Sequence, residues 1–322
     1  MNPPASAAMP VAGTSHPRLD ALVTQARERA RLESPVVGLV YACNALAMEA
    51  AVRITGQGIA RPVLIGPRDA VERAADDAAV DVHDFEVIAT GAHAQEAARQ
   101  ATALARDGVV HALMKGSLHT DELMSAVVDK VSGLRTGRRI SHVFLFDLPR
   151  YHKLIALADC VVNIAPTLAT KRDILGNAID LLRRLNIDPP KVGIVAAVET
   201  VNPAIPATID AQALVQMSRD GAWAGSIVEG PFGFDNAFSA AAARTKGIDS
   251  QVAGDADLLL MPDLNAGNML YKGFNYVGGG DCAGLVLGAS VPIVLTSRAD
   301  SLASRVASVA LAVLAADLRS RK

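Results

Sequence analysis

The chain has 322 residues, 51% of them hydrophobic and 20% charged, which supplies a large core and excludes a disordered protein. Lys and Arg number 31 against 33 Asp and Glu, a formal charge of -2, and aromatics make up only 4%. Neither a basic field nor a base-stacking surface is present, so no nucleic-acid partner is expected. The longest run that could be weighed as a membrane span, between Cys282 and Arg298, is broken by Gly284, Gly288, Ser290 and Pro292. A spanning helix needs roughly 20 mostly apolar residues, so no membrane partner is expected and the chain reads as soluble.

Residues 1–17 contain Pro3, Pro4, Pro10 and Pro17 but no basic or apolar signal region, and read as a flexible tail. From Arg18 onward short apolar runs alternate with helical patterns. Val36 to Tyr41 reads as a strand, Asn44 to Ile54 as a helix, Pro62 to Gly66 as a strand and Arg68 to Asp77 as a helix. Phe85 to Ala89, His93 to Arg106 and His111 to Lys115 continue the alternation, the signature of an α/β fold with a parallel sheet. Ser141 to Leu148 and Ala158 to Ile164 read as extended, Leu168 to Leu185 as a long helix, and Val192 to Val198 as a strand buried on both faces. Ala283 to Leu287 and Pro292 to Leu295 are the last short apolar runs, followed by a helix from about Ala299 to Leu318. Pivots at Gly133 to Arg139 and Gly278 to Gly280 divide the chain into one α/β lobe of residues 18–139 plus 281–322 and a second of residues 140–280. Cys43, Cys160 and Cys282 are odd in number, far apart and without a CxxC or a zinc-ligand spacing. They fit a reducing compartment, so a cytoplasmic location is expected.

Four segments carry chemistry. In PIVLTSRADSLASRVAS, Ser297 and Arg298 fall on a strand-to-helix turn, where free N–H groups and a guanidinium fork suit phosphate oxygens. Ser297 or Asp300 could equally be a helix N-cap there. In PDLNAGNMLYKGFNY, Asn265, Asn268 and Lys272 fall at i, i+3 and i+7 on one helix face, suited to an anion or simply to solvent. In HALMKGSLHT, Lys115 and Gly116 end a short strand, a weak anion signal. In VEGPFGFDNAFS, Asp235 starts a helix and serves as a site residue or as its N-cap. No Walker loop, dinucleotide fingerprint, HExxH or Gly-x-Ser-x-Gly elbow occurs, and no metal site is expected.

ALMKG, RRISHVFLF, VNIAP, AAVETVNPAIPAT, EGPFGFDNAFS, AGDADLLLMPDLNAGNMLYK and PIVLTSRADS together resemble the phosphate acetyl/butyryltransferase family from about Val36 onward. AAVETVNPAIPAT and SRADS are closer to the butyryl branch. The resemblance implies two α/β/α lobes with a cleft between them, similar to isocitrate and isopropylmalate dehydrogenases, and a homodimer paired through the second lobe. It implies the reaction acyl-CoA + phosphate ⇌ acyl phosphate + CoA on a short acyl chain. Coenzyme A is then a substrate, and no cofactor is needed. The family's acetyl-type pattern places a thiol base seven residues after the motif serine, but here that position is Ser304, leaving Asp300 as the nearest carboxylate. Two other readings use the same residues. A metal- and NAD-dependent decarboxylating dehydrogenase would need acids such as Asp263 and Asp281, and a non-catalytic subunit would only bind CoA or acyl phosphate.

Overall fold

The computed structural model describes residues 15–295 and 300–318. Its first part runs α1 (Pro17–Glu33), β1 (Val36–Val40), α2 (Ala45–Gly56), β2 (Arg61–Gly66), α3 (Arg68–Asp77), β3 (Glu86–Ala89), α4 (Ala94–Arg106), β4 (Ala112–Lys115) and α5 (Thr120–Val127). The middle runs β5 (Ser141–Asp147), β6 (Ile155–Ala158), α6 (Leu168–Arg184), β7 (Lys191–Val195), α7 (Pro206–Arg219), β8 (Ile227–Phe232), α8 (Phe234–Phe238), α9 (Ala240–Thr245), β9 (Leu258–Leu260) and α10 (Leu264–Tyr276). The chain then returns through β10 (Asp281–Leu287), β11 (Ile293–Val294) and α11 (Leu302–Ala315).

These strands form one sheet in the order β3-β2-β1-β4-β11-β10-β5-β6-β9-β7-β8. The strands β3, β2, β1, β4 and β11 are mutually parallel, as are β6, β9, β7 and β8. Between the halves, β10 runs antiparallel to both β11 and β5, and β5 antiparallel to β6. The alternation of elements in the sequence announces the parallel halves but not this antiparallel centre, because hydrophobic period carries no information about strand neighbours.

One apolar cluster runs beneath α1, α2, α3, α6, α7 and α11 along one whole face of the sheet. The other face carries two separate clusters, one beneath α4 and α5 and one beneath α8 and α10. The break between them falls on β10, where Val286 belongs to one and Cys282 to the other. Two lobes with a cleft follow from that break. Helix α11 is the central strut. Every residue from Ser304 to Ala315 is buried, as expected of a helix that is apolar all round. Its last carbonyls are capped by Arg29 of α1, which donates to Val313, Leu314 and Ala316 at 2.6–3.0 Å, a cation at the negative end of the helix dipole.

Several expected boundaries move. The extended segment expected over Ala158 to Ile164 is instead a strand ending at Ala158, followed by a turn. The Asp159 carboxylate accepts the N–H groups of Val161 and Val162 at 2.8 and 3.0 Å, and such an Asx turn outcompetes the ladder despite the apolar valines. The final helix starts at Leu302 rather than Ala299, because Ser301 caps it by accepting from the Ser304 N–H at 3.0 Å. The expected tail ends early, since Pro17 is the first residue of α1 and Pro is well suited to that position. Residues 1–14 lie outside the described residues.

Candidate functional site

The carboxyl ends of β1, β4 and β11 lie at the edge of the sheet where β10 begins, because β10 runs opposite to β11. Ligands of open α/β sheets gather at such an edge. Here a recess opens between the start of α2 and the start of α11, lined by Asn44, Ala47, Lys115, Gly116, Ser117 and Arg305 among others. Lys115 is the last residue of β4 and pairs in register with Val40. The N–H groups of Gly116 and Ser117 then bond back to the carbonyls of Val40 and Tyr41 at 2.9 and 3.0 Å, which turns the chain at the rim.

Glycine is required at 116 for a reason the sequence does not show. A Cβ there would lie 2.5 Å from the Tyr41 carbonyl oxygen and 2.6 Å from that of Val40. The two strand ends are pressed together, and the glycine serves that contact as well as lining the recess.

Ser297 and Arg298, the strongest expectations from the sequence, lie outside the described residues, between β11 and α11. Asp300 is described, and the reading of it as a helix cap is corrected, since Ser301 holds that position. The Asp300 backbone carbonyl accepts from Arg305 Nε at 3.4 Å, tying this turn to the recess. Its carboxylate sits close enough to Cys282 and Tyr271 to help raise both their pKa values, after burial, the larger cause for each. Tyr271 stacks on Phe144, ring centroids 4.0 Å apart, so α10 comes in beside the same turn from the second lobe.

Ser304, seven residues after Ser297, donates its hydroxyl to the Asp281 carboxylate. The carboxylate absent from position 304 is therefore present beside it, supplied by the first residue of β10. Asp281 also takes the N–H of Cys282 at 2.8 Å and lies 3.5 Å from the Ser301 hydroxyl.

The residues of α10 are placed differently from one another. Asn265 and Lys272 are exposed, while Asn268 donates to the Cys160 carbonyl at 3.3 Å and so anchors the helix. Gly267 lets the helix approach that closely, since a Cβ would lie 2.5 Å from the Asp159 carbonyl oxygen. Asp235 is not brought to the recess. It follows β8, seven strands along the sheet from β4, and its partner is Lys246 at 3.1 Å, whose hydrogen bond holds the Asp235 carboxyl below its usual range. Nor is it the cap of α8, a position held by Gly233.

Arg305 also lines the recess. Its signal is a single cation inside an otherwise uncharged helix, LASRVASVALAVLA, which is rare without a polar purpose. None of the three thiols is poised as a nucleophile. Burial pushes Cys43 up to about 11, Cys160 far up, and Cys282 well up with help from Asp281 and Asp300. Asp263 is occupied as the cap of α10, accepting from the Ala266 N–H at 3.0 Å. Among the described residues no group of three His, Cys, Asp or Glu could hold a metal ion, and no helix is long and apolar enough to cross a membrane.

A fold of this kind, with an anion-suited recess at the carboxyl ends of β1 and β4, is that of the phosphotransacylases. A branched-chain phosphotransacylase from Enterococcus faecalis superposes with a TM-score of 0.78 at 26% identity, covering 89% of this chain and all of the other. The family model described as phosphate acetyl/butaryl transferase matches residues 87–313, and the chain belongs to that family. It is 47% identical to a phosphate acetyltransferase of Rhizobium meliloti over 90% of this chain and 92% of the relative. It is also 37% identical to a phosphate butyryltransferase of Clostridium acetobutylicum over 88% and 94%. The dehydrogenase and binding-subunit readings find no support in these likenesses.

Proposed function

We propose that this acyltransferase interconverts acyl-CoA plus inorganic phosphate with acyl phosphate plus CoA, on acyl chains from acetyl to butyryl, by direct attack within a ternary complex. A phosphate oxygen adds to the thioester carbonyl, the C–S bond breaks, and the departing thiolate takes a proton. In reverse the thiol loses that proton, its sulfur adds to the acyl phosphate carbonyl, and phosphate leaves with the C–O electron pair. Holding both substrates in line can supply roughly 7–11 kcal/mol of the barrier, so no acyl-enzyme is needed. The raised cysteine pKa values favour that reading, since a protonated thiol is a poor nucleophile.

Arg298 and the Ser297 hydroxyl stabilise the charge on the tetrahedral intermediate and the phosphate. Lys115 and Gly116 hold phosphate at the end of β4, and Asp300 exchanges the thiol proton. Asn265, Asn268 and Lys272 of α10 contribute from the second lobe to substrate binding. The protein acts in the cytoplasm as a homodimer paired through residues 140–280, with residues 18–139 and 281–322 as the first lobe. The observation that carries the reading is that Lys115 shares one recess with Arg305, whose Nε donates to the Asp300 carbonyl at 3.4 Å.

The test is a steady-state assay of CoA release from acetyl-, propionyl-, butyryl- and octanoyl-CoA with and without phosphate. Release should require phosphate, prefer C2 to C4 over C8, and ignore EDTA. Phosphate-independent release would make the protein a thioesterase instead.

A further inference from the structure

We propose that the stacked rings of Phe144 and Tyr271, beside the bare backbone of Gly284, form the wall at which the acyl chain ends and so set the preference for short acyl groups. The inference rests on the phosphotransacylase reading above and deepens it by naming the side chains that read chain length. Phe144 is the one residue of β5 that is not buried. Its in-register partner on β10 is Gly284, which is also partly exposed, between the buried pairs Cys282–Ala283 and Leu285–Val286. An opening therefore reaches the floor of the sheet near its centre. It lies on the divided face, midway between Cys282 of one apolar cluster and Val286 of the other.

This opening has an aromatic wall held in one position. The Phe144 and Tyr271 rings are 5° from parallel with centroids 4.0 Å apart. His142 at 4.3 Å and Phe146 at 6.1 Å pack against the Phe144 ring along its own strand, separations at which aromatic pairs keep a preferred geometry. The edge of that ring leans over Gly284, since a Cβ there would lie 2.9 Å from Phe144 Cε1 and 3.3 Å from His142 Cε1. Ring edge and backbone thus meet and close the end of the opening. The turn of Asp300 lies at the start of the same strand, because Asp281 takes the Ser304 hydroxyl and lies 3.5 Å from that of Ser301. Tyr271 is within reach of that turn, since burial, then the Cys282 thiol and then the Asp300 charge raise the pKa of its phenol. An acyl group held by its carbonyl near this turn presents its tail to the two rings. The tail offers no polar group, so only the shape of an apolar surface can discriminate its length.

Steady-state kcat/KM for acetyl-, butyryl- and octanoyl-CoA at saturating phosphate tests the wall. Phe144→Ala and Tyr271→Leu each open it. The octanoyl-to-butyryl ratio of kcat/KM should rise at least ~10-fold, the lower end of what one methylene is worth in an apolar pocket, while KM for phosphate stays within about twofold. Tyr271→Phe keeps the stacked ring and should keep the wild-type ratio. Should Phe144→Ala fail to fold, Phe144→Leu retains much of the apolar volume and should raise the ratio less, in the same direction. An equal fall in kcat/KM for all three acyl-CoA substrates, the result of a merely structural role, overturns the proposal. So does a wild type that releases CoA only with phosphate yet favours octanoyl-CoA, and that result leaves the phosphotransacylase reading standing. A wild type that releases no CoA with phosphate at any chain length overturns the phosphotransacylase reading itself, and the wall with it.

Discussion

Replacing Gly116 by alanine tests whether the end of β4 positions the phosphate site. The added methyl would start 2.5 and 2.6 Å from two carbonyl oxygens, about 0.8 Å inside the ~3.3 Å that a carbon–oxygen contact allows. Those oxygens are poorly free to retreat. That of Val40 accepts the Gly116 N–H, and that of Tyr41 accepts both the N–H and the hydroxyl of Ser117 at 3.0 Å. The end of β4 must therefore shift from β1, carrying Lys115 with it. Overpacking of this kind costs about 1–3 kcal/mol, and a shift near ~1 Å at a substrate-positioning group costs on the order of 10²-fold in rate. Urea unfolding and phosphate-dependent CoA release measure the two. Gly56→Ala is the control, since nothing lies within 4 Å of its Cβ position and a helical alanine there should be neutral or stabilise by up to about 1 kcal/mol. A Gly116→Ala protein with wild-type stability and kcat/KM would refute the account of the strand end.

Much of the scaffold can be read from sequence because local signals agree with the fold. Helix α3 begins and ends where Pro67 and the apolar spacing of Val71, Ala74 and Ala75 place it. Helix α6 runs from its Thr167 cap to the stop before Asn186. Helix α1 is only faintly legible in the sequence. Its buried residues Leu19, Leu22 and Ala26 have helical spacing, masked by a charged surface. Strand β9, three leucines long, is too short for any period to register.

The site was less legible, for a topological reason. Its recess is assembled from positions 44, 115 and 305, which no window of sequence holds together, and their meeting depends on β11 lying beside β4 and on α11 crossing behind both. Asp281 was noted only as a metal-ligand candidate, since its pairing with Ser304 exists only once β10 and α11 are packed. Conversely, Asp235 sat in a motif as distinctive as any, yet the fold gives it a local ion pair with Lys246.

Three predictions concern single side chains. Arg298→Ala should lower kcat/KM for phosphate by about 10²-fold or more, the scale of a lost oxyanion donor, with Arg298→Lys restoring only part; near-wild-type kinetics would remove Arg298 from the site. His142 is fully buried and held neutral, its pKa lowered by burial against a weaker opposing pull from Asp159. Between about pH 6.5 and about pH 4 the unfolded chain binds a proton at this residue while the folded one does not, so stability should fall on acidification through that window with a slope of up to ~1.4 kcal/mol per pH unit. His142→Leu should flatten that part of the denaturation profile, and an unchanged slope would show that other groups carry it. The last prediction concerns the thiol proton. With Ser301 as the helix cap, Asp300→Asn removes no capping bond, and the readout is the rate and its pH profile. If Asp300 exchanges the proton, the variant loses at least ~10²-fold in rate at neutral pH. Activity should then recover as the free thiol ionises near ~8.5. Asp281→Asn is the comparison, because it weakens the tie to Ser304 at the start of α11 and should cost stability and rate together, without recovery at high pH. A silent Asp300→Asn beside an Asp281→Asn that alkali rescues would transfer the proton-accepting role to Asp281.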